Sequence, residues 1–287
     1  MASLILDGEA IATLWSTIKF IIDANFGSHS MVESLGGGAL LDSVVWESPQ
    51  SHPPLWEDEI HVWQSHLVAD AGTQSLLHSY LSEDENERAA RFRLDRDRNK
   101  FVTTRGTLRI LLARYLQARP KDLMFLLGPE GKPALTAESA GEMLSFNVSH
   151  SQDVAVFAFG QNRNIGVDVE RVRFDVEYDD IAQHYFSVGE MQSLAKLPRG
   201  NRREGFFLCW TRKEAYVKAG GRGLQIALDS FDVNLEPGDP ACFLRGVHAS
   251  WRISSFMVSN EYPVALVYDG APADLKFFDL GNVRRLQ

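Results

Sequence analysis

Apolar runs alternate with polar breaks along the chain, and their periods predict its elements. Residues 58–68 carry Ile60, Val62, Trp63 and Leu67 in a strand-like pattern. Ser82, with Glu85 three residues on, forms a capping box, so a helix is expected from there to about Leu94. Leu108, Leu112, Tyr115 and Leu116 follow a helical period over 101–117, and Pro120 ends that segment. Two short apolar runs, 154–160 and 165–170, flank the polar turn Gln161-Asn162-Arg163-Asn164 and predict a β-hairpin. Helices are expected near 178–186 and over 206–218, the second stopped by Gly220-Gly221. Residues 229–235, 249–258 and 262–269 read as strands. Helices and strands mix without the regular rhythm of a parallel βα sheet, which predicts an α+β fold.

Near the start, Ala10 to Phe26 has an amphipathic helical pattern, and Gly27 to Gly38, with Gly36-Gly37-Gly38, reads as a loop. The expected organisation is an extension over 1–45, an α+β half over 46–160 and a second half over 161–287, joined near 155–165.

Within the predicted hairpin, Ile165-Gly166-Val167-Asp168-Val169-Glu170 places Asp168 and Glu170 on one face, because strand side chains alternate. Gly166 shares that face and would leave room for a ligand. Two carboxylates side by side repel unless a cation lies between them. Over the helix at 206–218, Phe207, Thr211, Glu214 and Lys218 fall on one stripe, with Lys213 beside it. A hard cation such as magnesium takes oxygen ligands and substrate phosphates. Before the hairpin, Phe146-Asn147-Val148-Ser149-His150-Ser151 offers hydroxyl, amide and imidazole groups. Taken singly, each segment also reads as solvated surface or as a turn whose side chains bond the local backbone.

Charge sharpens the picture. The chain is net −9, yet eight basic residues between Arg88 and Arg109 are opposed only by Asp95 and Asp97, making that stretch net +6. Such segregation calls for an anionic ligand or partner. The whole chain is acidic, which argues against nucleic acid. Hydrophobic content of 45% and 287 residues suit a soluble globular protein with a sizeable core. Two cysteines, Cys209 and Cys242, make a disulfide scaffold unexpected and point to a reducing cytoplasm. The stretch from Ile11 to Ile22, interrupted by Ser16, Thr17 and Lys19, is too short to span a bilayer, and no signal peptide or membrane association is expected. His29, His52, His61 and His66 suggest no metal constellation.

Together, Asn147-Val148-Ser149-His150-Ser151, Gly166-Val167-Asp168-Val169-Glu170 and Trp210-Thr211-Arg212-Lys213-Glu214-Ala215-Tyr216-Val217-Lys218 resemble the signature elements of the Sfp-type 4'-phosphopantetheinyl transferases, with Gly131-Lys132-Pro133 matching a further element. The resemblance spans about residues 80–235. It implies two similar α+β halves about a pseudo-twofold axis, with the active site at their interface. It implies transfer of the phosphopantetheine arm of coenzyme A to a serine of a fatty acid, polyketide or peptide carrier protein, with release of 3',5'-ADP. By it, Asp168, Glu170 and Glu214 are magnesium ligands, and Asp168, Glu214 and Lys218 carry the catalysis. Arg88, Lys100, Lys132, Ser149, His150 and Lys218 would hold coenzyme A, with Arg98 and Arg105 as weaker contacts. Lys213 and Lys218 would offset phosphate charge. The proton of the attacking serine would go to Glu214 or to a metal-bound water. A chain long enough for both halves predicts a monomer. A magnesium-dependent nucleotide pyrophosphate hydrolase or phosphotransferase, and a non-catalytic coenzyme A-binding module, are the competing readings.

Overall fold

A computed structural model describes residues 44–127, 133–136, 143–221 and 226–281. The helix expected over 10–26, the loop over 27–38 and Lys132 lie outside the described residues. The chain runs through β1 (Glu59–His66), α1 (Ala71–Ser79), α2 (Glu83–Ala90) and α3 (Asp95–Leu116). A short pair, β2 (Phe125–Leu127) and β3 (Pro133–Leu135), leads to β4 (Leu144–Ser151), β5 (Val154–Gln161) and β6 (Ile165–Val169). Then come α4 (Tyr178–Tyr185), α5 (Val188–Lys196) and α6 (Arg199–Gly220). The strands β7 (Asp232–Val233), β8 (Phe243–Arg245), β9 (Trp251–Met257), β10 (Pro263–Asp269) and β11 (Asp274–Asp279) follow.

The α+β reading holds, and so does a two-half build. One sheet has the order β11-β1-β5-β4 and another the order β6-β10-β9. Each half sets a 22-residue helix on its sheet, α3 in the first and α6 in the second. The last strand, β11, returns to the first sheet and pairs parallel with β1.

Strand alternation explains the layering. Ile60 and Val62 of β1, and Val154, Val156 and Ala158 of β5, pack with Val167, Val169, Val264 and Leu266 of the second sheet. Trp63, Phe157 and Phe159, at intervening positions, instead pack with Leu108, Leu111 and Leu112 of α3. On the far side of the second sheet, Ala265 and Val267 of β10 meet Ala215 and Ala219 of α6. The result is helix, sheet, sheet, helix, with apolar residues filling each gap.

Helix α2 starts where the capping box placed it, and Glu85 Oε2 accepts from Ser82 N at 3.1 Å. Glu85 also receives Arg109 Nε at 2.6 Å and pairs with Arg105 Nε at 3.3 Å, pinning α2 to α3. Helix α6 begins at Arg199, earlier than its apolar stripe suggested.

The expected β-hairpin over 154–170 does not form. β5 pairs with β1 and β4, whereas β6 pairs with β10 in the other sheet. The polar turn is real, with Asn162 in the left-handed region at φ 52°. Its anchors lie elsewhere: Arg163 Nη2 donates to Glu57 O at 2.8 Å, and Asn164 Nδ2 donates to Asp269 Oδ2 at 2.8 Å. These bonds carry the chain from one sheet to the next instead of folding it back on itself.

Candidate active site

The edge strands β4 and β6 meet without a backbone ladder, and the side chains of β4 take its place. Asn147 Oδ1 accepts from Val167 N at 2.8 Å. Ser149 Oγ donates to Asp168 Oδ1 at 2.9 Å, and Ser151 Oγ donates to Glu170 Oε2 at 2.8 Å. Ser151 Oγ also accepts from Arg171 N at 3.1 Å. Positions 147, 149 and 151 share one face of β4, so a strand period of two delivers three polar groups in register to a neighbouring edge. An edge strand left unpaired is an aggregation hazard, and this stitching closes it.

Helix α6 supplies the other wall. It lies so close to β6 that a Cβ on Gly166 would stand 2.1 Å from Ala215 O and 2.4 Å from Ala219 N. The expectation that Gly166 leaves room for a ligand is therefore corrected: the space is filled by helix backbone. This approach brings Lys218 to the face of β6 that carries Asp168, and Glu214 lies one turn before Lys218 on α6. Lys218 Nζ sits 2.5 Å from Asp168 Oδ1 and 3.0 Å from Ser149 Oγ. Asp168, Glu170 and Glu214 are all buried. Asp168 Oδ2 is buried with no hydrogen-bond partner.

Carboxylate oxygen is the donor that suits magnesium, and an unsatisfied buried carboxylate oxygen is what a cation would complete. The set of Asp168, Glu170 and Glu214 fits the ion in donor chemistry. As it stands, however, no three of the His, Cys, Asp and Glu side chains among the described residues converge as a metal-holding group. The cation that Asp168 holds is the ammonium of Lys218.

On the opposite face of β4, His150 is exposed and lines a cleft of about 420 Å³ with Arg88, Arg96, Lys100 and Arg105. Phe92, Phe101, Val148 and Pro133 supply its apolar walls. Arg88 lies over the Phe101 ring at 5.3 Å, and Lys100 Nζ pairs with Asp153 Oδ1 at 3.1 Å. The structure thus gathers the expected Arg88, Lys100 and His150 into one basic, aromatic-walled cleft. Ser149, adjacent in sequence, faces the Asp168 seam instead, because strand neighbours point apart.

Two sequence-derived assignments change. Lys213 is fully buried away from this site, where Nζ donates to Leu228 O at 2.6 Å and Phe231 O at 2.7 Å and pairs with Glu190 Oε1 at 2.8 Å. It cannot offset charge on a phosphate from there. Arg98 pairs with Asp95 at the surface, and of the two weaker candidates only Arg105 lines the cleft. Phe92, Phe101 and Gln152 were missed as lining residues. Their signal was available: Phe101 follows Lys100, and Gln152 continues the Val148-His150 face of β4.

The comparisons with known proteins bear on this geometry. The profile of the 4'-phosphopantetheinyl transferase superfamily matches residues 164–267, and that of the 4'-phosphopantetheinyl transferase N-terminal region matches 70–162. The 4'-phosphopantetheinyl transferase HetI of Nostoc sp. is 36% identical over 197 residues, covering 69% of this chain and 83% of the relative. The chain belongs to the 4'-phosphopantetheinyl transferases. The 4'-phosphopantetheinyl transferase Sfp of Bacillus subtilis is 28% identical over 190 residues, 66% of this chain and 82% of that one. The L-aminoadipate-semialdehyde dehydrogenase-phosphopantetheinyl transferase of Xenopus laevis is 26% identical over 200 residues, 64% and 66% of the two chains. In this transferase the N-terminal match covers the basic cleft, and the superfamily match covers Asp168, Glu170, Glu214 and Lys218. No helix of the described residues is long and apolar enough to cross a membrane.

Proposed function

We propose that this chain transfers the 4'-phosphopantetheine arm of coenzyme A to a serine of an acyl or peptidyl carrier protein and releases 3',5'-ADP. One observation carries the reading. Consecutive residues of β4, His150 and Ser149, border a basic cleft on one face and the Asp168–Lys218 cluster on the other. An anionic nucleotide in the cleft would present its pyrophosphate at the strand edge, next to those acids and that ammonium.

In this reading Arg88, Lys100, Arg105 and His150 hold the phosphates of coenzyme A, and Phe92 and Phe101 exclude water from its apolar parts. Lys132, in the segment joining β2 to β3, would add a further cation. Asp168, Glu170 and Glu214 would hold a magnesium ion. Bound there, it would supply positive charge to the pyrophosphate, the usual contribution of a divalent ion to phosphoryl transfer. Lys218 Nζ donates to a non-bridging oxygen as negative charge grows. Glu214 Oε accepts the proton of the attacking serine, and its position one turn before Lys218 keeps base and cation on the same side of α6. Both halves lie on one chain, so we propose a monomer acting in the cytoplasm.

The test is direct. The protein is mixed with coenzyme A, magnesium and an apo carrier protein, and the carrier is weighed by mass spectrometry. A gain of one phosphopantetheine arm is expected, lost in Glu214→Gln while circular dichroism stays unchanged. Free phosphopantetheine with an unmodified carrier would instead indicate hydrolysis, and full transfer by Glu214→Gln would remove that residue from the chemistry.

A further inference from the structure

We infer that in the free protein Lys218 occupies the place at Asp168 that a divalent cation takes in the loaded site, so that cation and coenzyme A bind with positive coupling. The inference rests on the site reading proposed above and adds an order of events to it.

The geometry carries it. Lys218 Nζ lies 2.5 Å from Asp168 Oδ1, and its side chain is 17% exposed where that of Asp168 is 1% exposed. The ammonium therefore stands between the carboxylate and solvent. Ser149 Oγ holds both partners, donating to Asp168 Oδ1 and accepting from Lys218 Nζ. Asp168 Oδ2 remains buried without a hydrogen bond, so the carboxylate keeps coordinating capacity that the ammonium does not use. Among the described residues no three acids converge into a metal-holding group. The free form is a lysine-closed site rather than an open metal cup.

Charge and reach then set the order. A divalent ion and an ammonium on the same oxygen repel strongly in a buried setting of low effective dielectric. The ion binds well only after the ammonium leaves. Lysine has a flexible four-carbon stem, so its head can move while its backbone stays fixed in α6. A pyrophosphate gives that head a stronger anionic partner and draws it off Asp168. Coenzyme A thus favours cation binding, and by linkage the cation favours coenzyme A by the same factor.

Manganese(II) serves as the probe, its free concentration read by electron paramagnetic resonance without any turnover. For the unaltered chain, affinity without coenzyme A is expected to be weak and to rise at least tenfold when coenzyme A is added. Lys218→Gln, which keeps an amide donor for Asp168 but no charge, is expected to bind manganese about tenfold more tightly than the unaltered chain when coenzyme A is absent. Lys218→Met is expected to do the same, and Lys218→Arg, which retains the charge, is expected to stay weak. Equal or weaker manganese binding by Lys218→Gln overturns the inference. Asp168→Asn combined with Lys218→Gln should lose the ion, and retained binding there would place it elsewhere, overturning the inference too. Carrier modification is measured separately, so a chain that shows this manganese pattern but no transfer would refute the proposed activity alone.

Discussion

Gly166→Ala isolates the contact on which the site depends. The added methyl would lie 2.1 Å from Ala215 O and 2.4 Å from Ala219 N, both backbone atoms of α6. Ordinary contact begins near 3.4 Å, so helix and strand must separate by roughly 1 Å, the difference between those distances, to reach normal carbon contact spacing. The helix cannot yield at that point alone, because Ala265 and Val267 of β10 pack on the same two alanines. Overpacking of this kind costs about 1–3 kcal/mol, several degrees in melting temperature for a chain of this size. The functional loss should be larger. Glu214 adjoins Ala215 and Lys218 adjoins Ala219, so both move with the helix relative to Asp168. A misplacement of about 1 Å costs on the order of 100-fold in rate. Carrier modification followed by mass spectrometry gives kcat, and thermal denaturation by circular dichroism gives stability. Near-native kcat with an unchanged melting temperature would refute the argument that close helix–strand contact sets the site.

The other predictions follow from the same coordinates. Arg88→Ala and Lys100→Ala should each raise the KM for coenzyme A about tenfold, an effect that shrinks as salt is added, while stability changes by less than about 0.5 kcal/mol; steady-state kinetics at two ionic strengths checks this. Lys213→Met leaves Glu190 buried without its cation and should cost about 3–5 kcal/mol in urea unfolding. Adding Glu190→Gln should cost less than the sum of the two single changes, because the residues touch at 2.8 Å. His52 stacks on Trp63 and meets Tyr115 edge-on, and burial first, then Arg114 and His61, lower its pKa to about 4. A lowered folded-state pKa means that the unfolded chain takes up the proton first, so this contribution is complete above pH 6.5 and is lost as pH falls toward 4. His52→Phe should flatten the loss of stability over that window, as read by urea midpoints, leaving a residual slope from His61, whose pKa burial also lowers.

Local signals in the sequence were strong where chemistry and backbone agree. The Ser82–Glu85 box fixed the start of α2, and glycine stopped α6, because both operate within one helical turn. Strand and helix periods likewise put Asp168 and Glu170 on one face of β6 and Glu214 and Lys218 on one stripe of α6, and Lys218 is found against Asp168. What failed was long-range pairing. An apolar run, a polar turn and another apolar run look alike whether the strands pair with each other or enter stacked sheets; here they enter stacked sheets, with Arg163 and Asn164 bonded to partners about 105 residues away. Lys213 misled because a helix period assigns it to a side but does not reveal what covers that side. Here the carbonyls of Leu228 and Phe231, with Glu190, form an enclosed cation seat.

Strand alternation alone makes Gly166 an open position facing a ligand; in the fold it is where two backbones touch. Asp168 and Lys218 meet because nothing larger than hydrogen separates β6 from α6 at that crossing. Asn147, Ser149 and Ser151 hold β6 against β4 from the other direction. The carboxylates are thus fixed between a helix that cannot come closer and a strand edge that cannot move away. Under the proposed transfer, a flexible phosphate chain calls for rigid acids and one mobile cation. The buried Asp168 meets the first requirement, and Lys218, with its head partly in solvent, meets the second.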